Sequence, residues 1–171
     1  MKMKGVVFLT LFYLVLTCSM DVLAEETISL RNNSREKVML YVKKAQAYIE
    51  KHGKEKAMLE FNKKSGEFSE GSSYIFALDY ESVYLATINY PDLVGINQFS
   101  LNDPVRTSLV QEEIAKAKSG GGWIKQDRLK KNPNTGKHEC KASYILPMKG
   151  EYLIGSGYYY PPDKQGNCRE S

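Results

Sequence analysis

Apolar residues recur at three- and four-residue intervals along NNSREKVMLYVKKAQAYIEKHG. Val38, Tyr41, Val42, Ala45, Tyr48 and Ile49 form one stripe, which predicts an amphipathic helix. Asn33 is placed to cap it, Glu36 three residues on completes a capping-box pair, and Gly53 ends it. KEKAMLEFNKKSG predicts a shorter helix with Ala57, Met58 and Phe61 inward and Gly66 as the stop. After the small, polar SGEFSEGSS, YIFALD (74–79) predicts a strand, YES a turn, and VYLATI the returning strand of a hairpin. NYPDLVGINQFSLNDP is irregular, punctuated by Pro91 and Gly95, and is predicted to wrap over one face of the sheet. Asp103 and Pro104 open a helix from Val105 to about Lys118, with Val105, Leu109 and Ile114 inward and SGGG at its end. Three strands follow, GWIKQDRL, HECKASYILPM and EYLIGSGYYY, joined by the turns KKNPNTGK and KGE. Five antiparallel strands with helices on one side make an α+β domain.

The last strand carries an oddity. GEYLIGSGYYYPP places Gly155 and Gly157 astride Ser156, where bulk belongs. Glycine inside a strand costs backbone entropy and packs nothing, so its presence points to a close approach by another group. The two glycines share one face, and Ser156 and Tyr158 share the other. The expectation is that the glycine face receives the N-terminal helix and that Ser156 and Tyr158 look toward a pocket. The reverse assignment stays open.

The start of the chain has a different character. Lys2 and Lys4 precede the apolar run GVVFLTLFYLVLTC, and Val22 and Ala24 stand at the two positions a signal peptidase reads, so residues 1–24 read as a signal peptide. The run is short for a membrane-spanning helix, which makes an uncleaved anchor the lesser reading. Lipidation at Cys18 is a further alternative, with Thr17 a poor match to a lipoprotein box. Residues 25–162 then form one domain with one core, and 163–171 a polar tail. Export leaves 22 basic and 19 acidic residues, spread rather than striped, which gives no case for nucleic acid. Cys140 and Cys168 remain as a pair in an exported chain, and a disulfide is the natural reading, two free thiols the alternative.

Catalytic signals are missing. His52 and His138 lie far apart, and there is no HExxH, CxxC, phosphate-loop ending or GxSxG elbow. No enzyme, metal site or cofactor is expected. Tyrosine is in excess, with 11 of the 12 lying beyond residue 24. Its apolar body and hydroxyl tip suit a pocket for a small polar molecule, and equally an ordinary half-exposed sheet.

KAQAYIEKHGKEKAMLEFN, YIFALD, YLATINYPDLVGIN, GGGWI, NPNTGK, KASYI and YLIGSGYYY follow one another over about residues 37 to 160. In that order they resemble the single Cache domain of the second type, a PAS-like extracellular sensor module. The resemblance implies a long N-terminal helix across a five-stranded antiparallel sheet, with a small-ligand pocket on the opposite side. It implies short carboxylates or similar metabolites as ligands, a periplasmic or secreted location, and a role in signal transduction. Such domains usually belong to chemoreceptors or sensor kinases. This chain shows no transmembrane helix after the sheet and no signalling domain, so it is expected to act free-standing or through a separate membrane-bound transducer. Thr87 stands where similar proteins often carry histidine.

A small anion needs a fixed positive charge, hydroxyl donors and apolar walls. Lys141 is the first candidate for the charge, and Arg128, whose fork suits a carboxylate, the second. A solvent-facing strand lysine and a surface arginine are the ordinary alternatives. Tyr74 and Phe76, two apart, are wall candidates; Trp123, Tyr144 and Tyr158 complete the set. Lys141 and Tyr144 have opposite parity on one strand, so both reach the pocket only across a bulge. A disulfide-stapled protein–protein module without a small ligand is the competing reading, and a degenerate hydrolase or isomerase the third.

Overall fold

The computed structural model describes residues 34–70, 72–125 and 129–168. The signal-peptide reading, Cys18, Asn33 and Arg128 fall outside them. The chain divides into two compact units, Met1–Glu36 and Lys37–Ser171, and the fold below is that of the second.

Helix α1 covers residues 34–52. It buries Val38, Val42, Ala45 and Ile49, with Tyr41 and Tyr48 half-buried beside them, which is the stripe its sequence predicts. Gly53 stops it at φ 83°, its N–H donating to the Ile49 carbonyl at 2.8 Å. Helix α2 (Lys54–Phe61) starts at once and buries Ala57, Met58 and Phe61. Asn62 fastens α2 to the sheet: its Nδ2 donates to the carbonyls of Met58 (3.0 Å) and Leu85 (3.3 Å), and its Oδ1 accepts the Thr87 N–H at 3.0 Å.

The strand predicted at 74–79 is interrupted at Ile75. Its start pairs locally, β1 (Ser69–Glu70) with β2 (Ser73–Tyr74), and the remainder, β3 (Phe76–Asp79), forms a hairpin with β4 (Tyr84–Thr87). Residues 88–103 then run back along β4 through two short 3-10 turns, Pro91–Leu93 and Gln98–Leu101. The Gly95 N–H donates to the Tyr84 carbonyl and the Gln98 N–H to the Ser82 carbonyl, each at 2.8 Å. Helix α3 (Pro104–Lys118) begins where Asp103 accepts the N–H groups of Val105 and Arg106. Strands β5 (Gly122–Lys125), β6 (Lys130–Lys131), β7 (His138–Met148) and β8 (Tyr152–Tyr160) complete the chain. The main sheet is antiparallel in the order β4-β3-β8-β7-β5, and β6 adds a sixth strand beside the start of β7. Cys140 and Cys168 form a disulfide, with Cα atoms 5.4 Å apart.

Both faces of the sheet are covered, where the sequence predicted helices on one. On one face α1, α2 and Phe68 pack on Ile75, Ala77, Ala86, Tyr152 and Ile154. The Phe61 and Phe68 rings meet edge-on at 4.8 Å, and Tyr48 lies 5.2 Å from Phe68. On the other, Val110, Ile114 and Ala117 of α3 pack on Leu78, Ile124, Ile145 and Leu153. α3 is therefore rotated from its predicted setting. Val105 is 50% exposed and Leu109 half-buried, and the buried stripe is Val110, Glu113, Ile114 and Ala117.

Candidate functional site

The α3 face is not filled along its whole length. Where it passes from Leu78, Ile145 and Leu153 toward the start of β7 and the end of β8, a cavity of about 220 Å³ opens between the sheet, α3 and the loop before it. The strands contribute Tyr74, Phe76, Tyr84, Thr87, Lys130, Lys141 and Tyr159; the loop contributes Tyr90 and Asp103; α3 contributes Val105, Arg106, Leu109 and Glu113.

Lys141 is 6% exposed. Its Nζ donates to the Tyr74 hydroxyl at 2.8 Å and lies over three rings, 4.6 Å from the centroid of Tyr74, 5.3 Å from Tyr159 and 5.6 Å from Phe76. Aromatic faces attract a cation, and that attraction strengthens as water is excluded. The glycines of β8 make this arrangement possible. A Cβ on Gly157 would run into the Ala142 carbonyl oxygen and stand 2.9 Å from Lys141 Cε; one on Gly155 would stand 2.5 Å from Phe76 Cζ. The close approach implied by the glycines is thus made by the Lys141 stem and the Phe76 ring. The expected orientation is corrected: Gly155 and Gly157 face the cavity, and Ser156 faces the α1 side, its Oγ donating to the Tyr74 carbonyl at 2.8 Å.

Glu113 is the second buried ionisable group, 3% exposed on α3. Its Oε2 has no hydrogen-bond partner. Burial pushes its carboxyl up to about 7, against the pull of the Lys141 and Lys130 charges. Among the described residues Lys141 and Glu113 do not meet as an ion pair. Burial also holds the phenols of Tyr74, Tyr84 and Tyr159 well above their ordinary range, so all three remain protonated donors. Arg106 stands beside Asp103, Nε to Oδ2 3.7 Å, with its guanidinium 5.6 Å from the Tyr90 ring centre. Thr87 is buried on β4 and lines the same cavity.

Of the residues singled out in the sequence, Tyr74, Phe76 and Lys141 line this cavity. Trp123, Tyr144 and Tyr158 do not; they cluster on the opposite face, with Trp123 5.4 Å from Tyr144 and 5.9 Å from Tyr158. The reason is register. β7 and β8 pair without a bulge from Cys140↔Tyr160 to Met148↔Tyr152, so parity keeps Tyr144 and Lys141 on opposite sides. Sequence reasoning missed Tyr159, which follows Gly157 on the cavity face, and Tyr84, Tyr90, Arg106 and Glu113. Glu113 had a signal: it interrupts the i, i+4, i+7 run of Val110, Ile114 and Ala117 with a carboxylate at i+3.

Among the described residues no group of three His, Cys, Asp or Glu side chains is placed to hold a metal. No helix among them is long and apolar enough to cross a membrane. The arrangement offers an ammonium and phenol donors at one wall, a carboxyl at the other, and apolar rings between. Such a lining has the chemistry to hold a small polar molecule.

The Cache domain family profile matches residues 38–161. The sensor histidine kinase MctS of Rhizobium johnstonii is 32% identical over 87 residues, which cover 50% of this chain and 18% of that protein. The chain thus spans about a fifth of that curated relative. Two solved structures share the fold. A methyl-accepting chemotaxis protein from Vibrio parahaemolyticus is 18% identical over 80% of this chain and 95% of its own, with a TM-score of 0.61. A Cache chemosensory domain, solved as the structural basis for carboxylic acid recognition, is 23% identical over 77% of this chain and 96% of its own, with a TM-score of 0.58.

Proposed function

The chain belongs to the Cache domain family, and from that premise we propose that it is an exported, non-catalytic sensor module whose cavity takes a short organic acid and passes the event to a separate membrane-bound transducer. One observation carries the reading. Lys141 is a buried cation that forms no ion pair among the described residues and spends one of its three protons on Tyr74. A buried charge is retained at a cost unless something compensates it, and a ligand carboxylate supplies the missing charge. Tyr74 and Tyr159 stand beside the ammonium as further donors. The carboxylic acid recognised by the similar Cache chemosensory domain agrees in chemical class. The competing reading, an interaction module without a small ligand, expects the protein's own rings to fill this space; they leave about 220 Å³.

Isothermal titration against short carboxylates and amino acids tests the reading. Saturable binding is expected, and Lys141→Met is expected to weaken it by about 30-fold or more, as loss of a buried charged contact implies. Silence across the panel from folded protein would overturn it.

A further inference from the structure

Glu113 raises a separate question. It lies on the stripe of α3 that packs on the sheet, where a leucine would close the layer. Instead the chain buries a carboxyl whose Oε2 bonds to nothing. Such groups are rare in folded proteins because an unsatisfied buried acceptor costs as much as a lost hydrogen bond or more. Lys141 does not relieve it: the ammonium is drawn aside by the Tyr74 hydroxyl and three rings. The charged or titratable groups that influence Glu113 are Lys141 from β7, Lys130 from β6, Tyr84 from β4 and Tyr74 from β2, with Glu112 beside it on α3. All but Glu112 line the same cavity as Glu113.

Resting on the carboxylate reading above, we propose that Glu113 sets the specificity of the cavity by accepting an O–H or N–H donor of the ligand. The ligand is then a short carboxylate that also carries a hydroxyl or ammonium group, and not a plain alkanoate. Its carboxylate lies at Lys141 and its donor at Glu113. An alkanoate brings acceptors only. Where Glu113 is ionised, above about pH 7, this leaves Oε2 unsatisfied and sets two negative charges in one cavity, which is unfavourable at low dielectric. The donor-bearing acid answers both buried groups at once, and discrimination by buried polar groups left unpaired is stronger than discrimination by size.

The test is calorimetric titration of matched acids of two to five carbons, each as the alkanoate, the hydroxy acid and the amino acid, on the parent protein, Glu113→Gln and Glu113→Leu. At least one donor-bearing acid is expected to bind about tenfold or more tighter than its alkanoate, as a hydrogen bond to a charged group implies. Glu113→Leu is expected to abolish that preference while leaving alkanoate binding equal or tighter. Glu113→Gln keeps an acceptor but no charge, so it retains a preference for a hydroxyl and loses one for an ammonium; if the Leu variant fails to fold, Glu113→Met, similar in length to Glu and without charge or oxygen acceptor, takes its place and is expected to abolish the preference in the same way. Alkanoates that match their substituted counterparts, or a preference that survives both substitutions, would overturn the role of Glu113 and leave the carboxylate reading standing. No binding by any acid would overturn both.

Discussion

Along one face of β8, Tyr152, Ile154 and Ser156 meet the helices α1 and α2 or the strand beneath them; along the other, Leu153, Gly155, Gly157 and Tyr159 meet α3 and the cavity. The same alternation divides β7 into Ala142, Tyr144 and Leu146 against Lys141, Ser143 and Ile145. On the helix face rings close on rings. On the cavity face the chain removes bulk with two glycines and puts an ammonium and a carboxyl into the space gained. The first face supplies stability. The second holds charged groups that the protein's own atoms compensate only in part, and that is the condition for a ligand to matter to it.

The contrast can be broken at its strong side first. Phe61→Ala opens a void among Phe68, Tyr48 and the sheet and is expected to cost about 3–5 kcal/mol in denaturant unfolding. A loss below about 1 kcal/mol would mean that this layer does not carry the fold.

The acid–base behaviour of the cavity sharpens the comparison next. The folded protein holds the Glu113 proton up to about pH 7, whereas an exposed carboxyl releases it near 4.5. Between those values the folded state binds the extra proton, so stability falls as pH rises. The drop from pH 5 to pH 8 attributable to Glu113 is at most about 3 kcal/mol. Glu113→Gln is expected to flatten it and to unfold at higher denaturant than the parent at pH 8. Parallel pH profiles for the two proteins would contradict the burial argument. No such slope is expected from the helix face.

The smallest effect tests the glycines. Alanine normally improves a strand interior that held glycine, by about 0.5–1 kcal/mol. Gly155→Ala is expected to do the opposite and cost about 1–3 kcal/mol, because its Cβ would stand 2.5 Å from Phe76 Cζ and 3.0 Å from Ile145 Cδ1. A gain in melting temperature would show that the Phe76 ring can yield.

Much of the fold was legible because it is written in local period. The α1 stripe, the Gly53 stop, the buried residues of α2, the β3–β4 hairpin and the β7–β8 pair all follow from spacing and turn residues. The site was legible only in part. Alternation tells which side chains share a face, but not which layer that face meets, and so the glycine face was assigned to the wrong side. Lys141 could be singled out because a lysine inside a strand is conspicuous. The signal of Glu113 was weaker, because a helix glutamate reads as solvated until Val110, Ile114 and Ala117 beside it are known to be buried. The setting of α3 depends on long-range packing against Ile145 and Leu153, and the interruption at Ile75 on pairing with β1 and β8.

Asn62 has one more consequence. Its amide joins the last turn of α2 to the backbone of Leu85 and Thr87, and the Thr87 side chain is itself a wall of the cavity. An occupant that nudges Thr87 must either rupture the two bonds that cross from Asn62 to β4 or drag the tip of α2 along. The molecule therefore carries a mechanical linkage, one amide wide, from the chamber on one side of the sheet to the helices on the other.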